Sequence, residues 1–452
     1  MVETEEFENL PQDWPGNPWI EGRTIVRLPS VQERPTHMPR GPAKRTGPGF
    51  LNPAMAPART RSVLLLADAL EHDWIGKSPV IRAIDVMCST GIRVRRWRNE
   101  IPPDLQNRLQ ITANDMDEFA LKWAVNSCKS HPSDLDQYPI SATEEGPVID
   151  SKYYDINGIR FQKNDARIAL FSGAWQWIDI DPFGSPINFI DSALQNMARI
   201  GVLEVTATDT AALTGSSPTA GKRRYGSKGI TDEYQHDDAI RVLIGTIARS
   251  AAKIDKAVKP ILAMFDGHHV RVSVLVRTSK TRATETRDMI GWRVRNESGI
   301  PYKFVDHPTD QEMDRATGPM WIGPIWDGEI AGRMSEERAL QLCYPTNSDI
   351  ESARSSNLEW TKDDIEYSRR EIERTVRHIA SCANLFGGEH VLYDLDMLSK
   401  KIGKGHAPKM VNLVSELENQ GHLASQTPTH RPMFVTNASH PEVVEIFLGL
   451  IG

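Results

Sequence analysis

Apolar positions along the chain form two alternating patterns after residue 50: short continuous runs, and repeats at helical spacing. Residues 1–50 are rich in proline, glycine and charge, and read as an N-terminal arm with little core of its own. A helical pattern follows, with Val63, Leu64, Ala67 and Leu70 on one face. VIRAIDVM (80–87) reads as a buried strand and ITAND (111–115) as a second. EFALKWAVNSC (118–128) has the spacing of a helix, with Phe119, Trp123 and Val125/Asn126 on its apolar side. IRFQKND (159–165), WQWIDID (175–181) and GVLEVTATD (201–209) give three further strands. Ala239, Val242, Leu243 and Ile247 mark a long helix over 234–253. PILAMFDGHHVRVSVLVR then reads as two strands around an Asp-Gly turn, which is a hairpin signal.

Strand–helix alternation ending in an antiparallel hairpin predicts an α/β fold, a doubly wound and mostly parallel sheet with a reversed edge strand. Class I (Rossmann-like) methyltransferases are built this way, and the pattern alone also admits a nucleotide-binding dehydrogenase. RTSKTRATETRD (277–288) reads as a linker. Beyond it Thr361-Lys362-Asp363-Asp364 is a capping box opening a helix with Ile365, Ile372, Val376 and Ile379 on its buried face. Short helices at 394–398 and 408–419, a stop at Gly421 and two strand-like runs have the order of a winged-helix module. The predicted organisation is an arm (1–50), a doubly wound domain (51–280) and a smaller α+β C-terminal domain (281–452).

A length of 452 residues fits two domains, and 39% hydrophobic with 25% charged residues describes an ordinary globular chain. No apolar run approaches the roughly 20 residues of a membrane span, and the acidic start lacks a basic-then-apolar leader. Cys88, Cys128, Cys343 and Cys382 are scattered, which disfavours both a disulfide framework and a zinc cluster and fits a reducing cytoplasm.

A net charge of −7 runs against a nucleic-acid partner, so the distribution of positive charge matters. It gathers in four places: Arg34 to Arg45, Arg93 to Arg98, the GKRRYGSKG segment carrying Lys222, Arg223 and Arg224, and SKKIGKGHAPK ending at Lys409. Any one of them also reads as a solvated face. Together they suggest a polarised surface.

In a doubly wound sheet the ligand lies at the carboxyl ends of the strands. The first strand ends in Asp85-Val86-Met87-Cys88-Ser89-Thr90-Gly91-Ile92-Arg93, where Gly91 permits close backbone approach and Ser89 and Thr90 leave room. This is not a GxGxxG fingerprint, which favours a mononucleoside-type ligand such as S-adenosyl-L-methionine over a dinucleotide. Asp85 is a candidate for that site and equally a turn or cap carboxylate. The second strand ends in Asn114-Asp115-Met116-Asp117. A carboxylate there accepts ribose hydroxyls, the role expected of Asp115, and the competing role is to cap the following helix. Asp165, ending the third strand before Ala166, is placed to accept from an adenine amine.

The fourth strand ends in Asp179-Ile180-Asp181-Pro182-Phe183-Gly184-Ser185-Pro186. An aromatic amine is a poor nucleophile because its lone pair is delocalised into the ring. A carboxylate accepting its N–H orients it and stabilises the positive charge that develops on methylation, which makes Asp181 the candidate catalytic residue. Phe183 offers a stacking face for a base. The structural alternative is a strand terminator with Phe183 in the core. An amine inside a paired base also has to be unstacked or flipped out to react.

With these residues in hand, the chain resembles the tRNA (guanine-26-N2)-dimethyltransferase family, of the archaeal type, from about Glu21 to Ala438. The resemblance lies in Phe50-Leu51-Asn52-Pro53 through Arg59, in VMCSTGIR, DIDPFGSP, EVTATDTAALTG and GPMWIGPIWD, and more loosely in Thr429-His430 with Phe434 to Ala438. It implies a seven-stranded S-adenosyl-L-methionine-dependent domain and a C-terminal domain that helps grip tRNA. Arg59, Arg93, Asp115, Asp165 and Ala166 match the family's cofactor contacts, Asp181 its proposed acceptor, and Phe50 and Phe183 the aromatics that sandwich guanine. Read without the resemblance, Phe50 is an anchor for the arm.

Two departures stand out. The cysteine cluster that some relatives carry for zinc has no counterpart in 277–295, so no metal is expected. His236 is followed by Asp237 where the family usually has an acidic residue, here the shorter one. His268 and His269, adjacent in a strand, point to opposite faces and make a poor metal pair. Two competing readings remain: an adenine-N6 methyltransferase acting on nucleic acid, and a non-catalytic tRNA-binding protein. No protein partner is implied.

Overall fold

β1 (Asn17–Glu21) and β2 (Thr24–Leu28) pair antiparallel, a hairpin in the stretch read as an arm. The structure, a computed structural model, describes residues 9–29, 50–129, 153–296, 301–355, 361–403, 406–429 and 431–451. The basic stretch Arg34 to Arg45 lies outside them. Two compact units divide the chain: one holds the residues up to Asp181 with Ser192–Leu203 and Glu336–Thr375, the other Pro182–Asp191, Glu204–Ser335 and Val376 onward.

The main sheet is built from β3 (Ile81–Asp85), β4 (Leu109–Asp115), β5 (Tyr153–Ile156), β6 (Ile159–Lys163), β7 (Trp175–Ile180), β8 (Met197–Ala207), β9 (Lys256–Phe265) and β10 (Val270–Thr278). Its order is β5-β6-β4-β3-β7-β8-β10-β9, eight strands and not the seven expected. β3 runs parallel to β4 and β7, β4 parallel to β6, and β9 pairs antiparallel with β10. The additional strand is β5, folded back on β6 through Asn157-Gly158 with Ile156 opposite Ile159. Both turn residues have positive φ, +51° and +71°, the backbone that a two-residue hairpin of matching twist demands.

In the first unit the helix Ala56–Glu71 is buried on all sides from Ala58 to Leu70, not along one face. Its polar side chains survive there by being paired: Ser62 Oγ accepts from Trp97 Nε1 at 3.1 Å, and Asp68 from Trp74 Nε1 at 2.9 Å. The helix Glu118–Lys129 buries Trp123, Val125 and Asn126, but Phe119 is 58% exposed, contrary to its expected place on the apolar side.

In the second unit the segment read as a linker is the helix Lys280–Asp288. Ser279 caps it by accepting from Arg282 N, and Ala283 and Thr286, one turn apart, are its buried contacts. A largely charged sequence hid a helix whose inward stripe is two residues wide. β11 (Ile290–Arg295), β12 (Tyr302–Val305) and β13 (Ala316–Trp321) form a second sheet in the order β12-β11-β13. Fully buried Arg293 on β11 pairs with Asp238 at 2.6 Å and Asp232 at 2.9 Å. At the C-terminal end β14 (Val391–Asp394), β15 (Ala424–Gln426) and β16 (Met433–Thr436) form a third sheet in the order β14-β16-β15, with helices Leu395–Ile402 and Met410–Asn419 between β14 and β15. Tyr393, Leu398, Leu413, Leu417, Phe434 and Phe447 form its core.

Candidate functional site

Three parallel strands of the first unit end together. After β3, the Asp85 carboxylate accepts from Met87 N at 3.1 Å and Cys88 N donates to the Asn114 carbonyl at 2.8 Å. Ser89 takes φ +49°, its amide donating to Asp115 Oδ2 at 2.8 Å and its hydroxyl to the Phe50 carbonyl at 2.6 Å. Fully buried Asn114 donates from Nδ2 to the carbonyls of Val86 at 2.9 Å and Asn164 at 3.0 Å, fastening the ends of β3, β4 and β6 to one another.

Of the two roles the sequence left open, the cap falls to Asp117 and not to Asp115. Asp117 caps the helix Glu118–Lys129, accepting from Phe119 N at 3.0 Å. Asp115 instead accepts two loop amides, Ser89 N and Asp117 N, which fixes its carboxylate at the strand end. Asp165 caps the helix Ala166–Phe171 and ion-pairs with Arg167 at 2.8 Å; the Arg167 hydrogen bond holds its carboxyl at about 2.

Asp181, just past the end of β7, meets Arg93 from the helix Ile92–Glu100, Oδ2 to Nη2, at 2.6 Å. Arg93 Nε also lies 3.3 Å from Asp179 and 3.6 Å from Asp85. A single buried guanidinium therefore serves three carboxylates. Burial, with the charge of Asp179 next, pushes Asp85 upward despite Arg93. Asp181 is the most accessible of the three, its side chain 21% exposed.

The stretch Arg93 to Arg98, a candidate basic surface in the sequence, is buried; Arg93, Arg95, Arg96 and Arg98 are all nearly inaccessible. It is ion-pair core. Arg96 bridges Glu100 at 2.8 Å and Glu21 at 2.9 Å. Arg59 grips Glu21 through two bonds of 2.7 and 2.6 Å and donates to the Asn52 carbonyl at 3.1 Å. Burial acts to raise Glu21, but the Arg59 and Arg96 guanidiniums bring it down to about 2. The guanidinium of Arg59 thus anchors β1 and the Phe50–Asn52 backbone.

Pro182–Asp191 belongs to the second unit, as does Glu204–Ser335. There Phe183 is 61% exposed, which disposes of the core alternative. Gly184, at φ +84°, donates its amide to Thr208 Oγ1 at 2.6 Å and accepts from Thr208 N at 2.9 Å. Ser185 Oγ lies 3.1 Å from the Tyr225 hydroxyl, which donates to Asp209 at 2.6 Å. Arg224 pairs with the other Asp209 oxygen at 3.0 Å, while Lys222 and Arg223 stand exposed beside it on the helix Pro218–Tyr225. That helix sits on a loop closed where Gly215 and Gly229 pack backbone to backbone; a Cβ on Gly229 would come within 2.5 Å of the Gly215 Cα.

Sequence reading missed Ser89, Asn114, Asp179, Thr208, Asp209 and Tyr225 as members of these networks. Each stands within or beside a motif that was singled out, but none carries a signal of its own without the partner that lies far along the chain. Among the described residues no group of three or more His, Cys, Asp or Glu is arranged to hold a metal ion.

The sequence matches the model of the family described as "N2,N2-dimethylguanosine tRNA methyltransferase" over residues 29–448. It is 28% identical over 413 residues to the tRNA (guanine(26)-N(2))-dimethyltransferase of Pyrococcus furiosus, covering 90% of this chain and 95% of the relative. With the protein of the same name from Methanocorpusculum labreanum it shares 31% identity over 340 residues, 73% of this chain and 77% of the other. The fold is that of Trm1 from Pyrococcus horikoshii, solved with S-adenosyl-L-methionine: TM-score 0.68 at 24% identity, covering 95% and 99% of the two chains. The chain belongs to the N2,N2-dimethylguanosine tRNA methyltransferase family.

Proposed function

We propose that this protein transfers methyl groups from S-adenosyl-L-methionine to the exocyclic N2 of guanine 26 in tRNA, giving N2,N2-dimethylguanosine. The observation that carries the reading is the Asp181 carboxylate, held by Arg93 at the end of β7 within the unit that carries the Asp85–Gly91 loop and Asp115. The donor set fits the cofactor: a strand-end carboxylate fixed by two loop amides suits a ribose diol, and the loop after Asp85 ends in the small Ser89, Thr90 and Gly91, with positive φ at Ser89 and Gly91. When bound, the cofactor supplies an electrophilic methyl group on a sulfonium.

The chain's own residues do the rest. Asp115 takes the ribose, with Arg59, Asp85, Arg93, Asp165 and Ala166 around the cofactor. Asp181 accepts an N–H of the guanine amine, turns its lone pair toward the methyl group and takes up the positive charge that forms on nitrogen. The N–H proton passes to the Asp181 carboxylate and on to solvent, and a second round on the same amine, with a fresh S-adenosyl-L-methionine as methyl donor, completes the dimethyl product. Phe50 and Phe183 stack on the extruded base.

Lys222 and Arg223 supply phosphate contacts, and residues 281–452 add to the grip on tRNA. The element order of 379–436 (helix, strand, two helices, two strands) supports a winged-helix-like module there. Its third helix, Met410–Asn419, carries two glutamates and no lysine or arginine, so the exposed Lys400, Lys401 and Lys409 around the preceding turn are the natural contacts. Among the described residues no helix is long and apolar enough to cross a membrane. Four free cysteines support placement in the cytoplasm.

Incubation with radiolabelled S-adenosyl-L-methionine and bulk tRNA, followed by nucleoside analysis, tests the function. Labelled N2,N2-dimethylguanosine is expected. Labelled N6-methyladenosine would transfer the reading to an adenine amine, and an absence of label would leave a tRNA-binding protein without turnover.

A further inference from the structure

We infer that Ser89 is a positioning residue that couples the cofactor pocket to the Phe50 side of the guanine site. The inference rests on the roles proposed above for Asp115 and Phe50.

Ser89 is a non-glycine residue held at φ +49°, a conformation in which an L side chain is strained. Glycine would occupy it without penalty, and the chain has one two positions later, Gly91 at φ +72°. What a glycine cannot supply is the hydroxyl, and here the hydroxyl is engaged: it donates to the Phe50 carbonyl at 2.6 Å. The same residue donates its amide to Asp115 Oδ2 at 2.8 Å. One strained residue therefore holds both the carboxylate assigned to the cofactor ribose and the backbone of an aromatic assigned to the base.

The Phe50 end has a second fixed point. Arg59 donates to the Asn52 carbonyl at 3.1 Å, and Asn52 Oδ1 accepts from Ala54 N at 3.1 Å. Between the Ser89 and Arg59 contacts lie only two peptide links, so the hydroxyl and the guanidinium hold this backbone at two closely spaced points. A ligand on Asp115 stiffens the loop that carries Ser89, and through it the Phe50 carbonyl. Cofactor occupancy prepares the stacking wall before RNA arrives, and binding is ordered with the cofactor first.

Ser89→Gly relaxes the backbone while deleting the hydroxyl, and Ser89→Ala deletes the hydroxyl alone. Both are compared with the unaltered protein by calorimetric titration with S-adenosyl-L-methionine, by the KM for tRNA, and by hydrogen exchange of the Leu51–Met55 amides with and without cofactor. Cofactor affinity is expected to stay within about threefold, while the KM for tRNA rises about five- to tenfold for a lost hydrogen bond. The protection that cofactor confers on Leu51–Met55 in the unaltered protein is expected to vanish in both variants. Ser89→Gly should melt no lower than Ser89→Ala, so a loss confined to tRNA handling is not a folding defect.

Persistence of that cofactor-dependent protection in the variants overturns the inference, as does its absence from the unaltered protein. A parallel loss of cofactor affinity and tRNA handling also overturns it, reducing Ser89 to a cofactor contact. Protection that depends on Ser89 in a protein forming no dimethylguanosine would sustain the coupling and refute the proposed reaction instead.

Discussion

Arg93 Nη2 and Asp181 Oδ2 lie 2.6 Å apart, and the same guanidinium reaches the buried carboxylates of Asp179 and Asp85. The candidate acceptor is therefore held at one oxygen by a residue that the family resemblance assigned to the cofactor. Arg93→Gln removes the only cation of this cluster among the described pairs. A charge-assisted hydrogen bond contributes about 1.5–3 kcal/mol, so single-turnover methyl transfer should fall about 10- to 150-fold. Taking the cation out of a buried acidic cluster should also destabilise the fold by about 3–5 kcal/mol, seen as a lower Tm. Unchanged turnover at saturating cofactor would separate Arg93 from Asp181.

Asp181→Ala should abolish most transfer, by about 100- to 1,000-fold, the range for removing one preorganised group from a polar transition state. Calorimetric cofactor titration should be nearly unchanged. Substantial residual turnover would remove the carboxylate from the chemistry.

The complementary variant is Asp115→Ala. Loss of a fixed acceptor for the ribose should raise the Kd for S-adenosyl-L-methionine about 10- to 100-fold. Turnover at saturating cofactor should suffer less. An unaltered titration would refute the ribose assignment.

Lys222 and Arg223 are solvated, whereas Arg224 is ion-paired to Asp209 and joined through it to Tyr225 and Ser185. Lys222→Ala and Arg223→Ala should each weaken tRNA binding and flatten the plot of log affinity against log salt by about 0.7–0.9. Arg224→Ala should lower turnover beyond its effect on binding, since it leaves Asp209 without its cation beside the Phe183 loop. Equal salt slopes in the variants and the unaltered protein would place the RNA on another face.

Stability should carry the mark of Asp85. Burial first, and Asp179 second, raise its carboxyl from an ordinary 3.8 to about 8. A carboxyl raised on folding favours the native state while it is protonated; that contribution is complete below the unfolded pKa and is lost as pH rises through about 8. Asp85→Asn cannot ionise. Its stability relative to the unaltered protein should therefore improve between pH 5 and 8, by at most about 1.4 kcal/mol per pH unit. Thermal melts across that range measure it, and a pH-independent difference would contradict the raised value.

Legibility from sequence followed the range of the interactions. β3, β4 and β7 were readable because apolar residues recur in them at every second position or closer, and the acidic residues Asp85, Asp115 and Asp181 at or just past their ends stood out against that pattern. β5 escaped because its four residues follow a polar stretch and its Asn-Gly turn was passed over. The helix Lys280–Asp288 escaped because only Ala283 and Thr286 face inward. Arg93 to Arg98 misled for a different reason: composition records charge, but not the Glu21 carboxylate that arrives from β1 to join Glu100, one turn along the same helix, in neutralising it. Ser89 offered no local sign, since its conformation and its contact with Phe50 exist only once the chain has folded.

The meeting of Gly215 and Gly229 has a mechanical outcome. Where two backbones touch with no side chain between them, the enclosed segment is a ring with a tight clasp, and the Lys222-Arg223 helix rides on it as a stiff spur. In the tRNA-binding role proposed for Lys222 and Arg223, such a spur would meet the polyanion already in shape, without the disorder that a loose basic loop has to surrender on contact. A single methyl group at the clasp, as in Gly229→Ala, would prise it apart and leave every positive charge in place but no longer in formation.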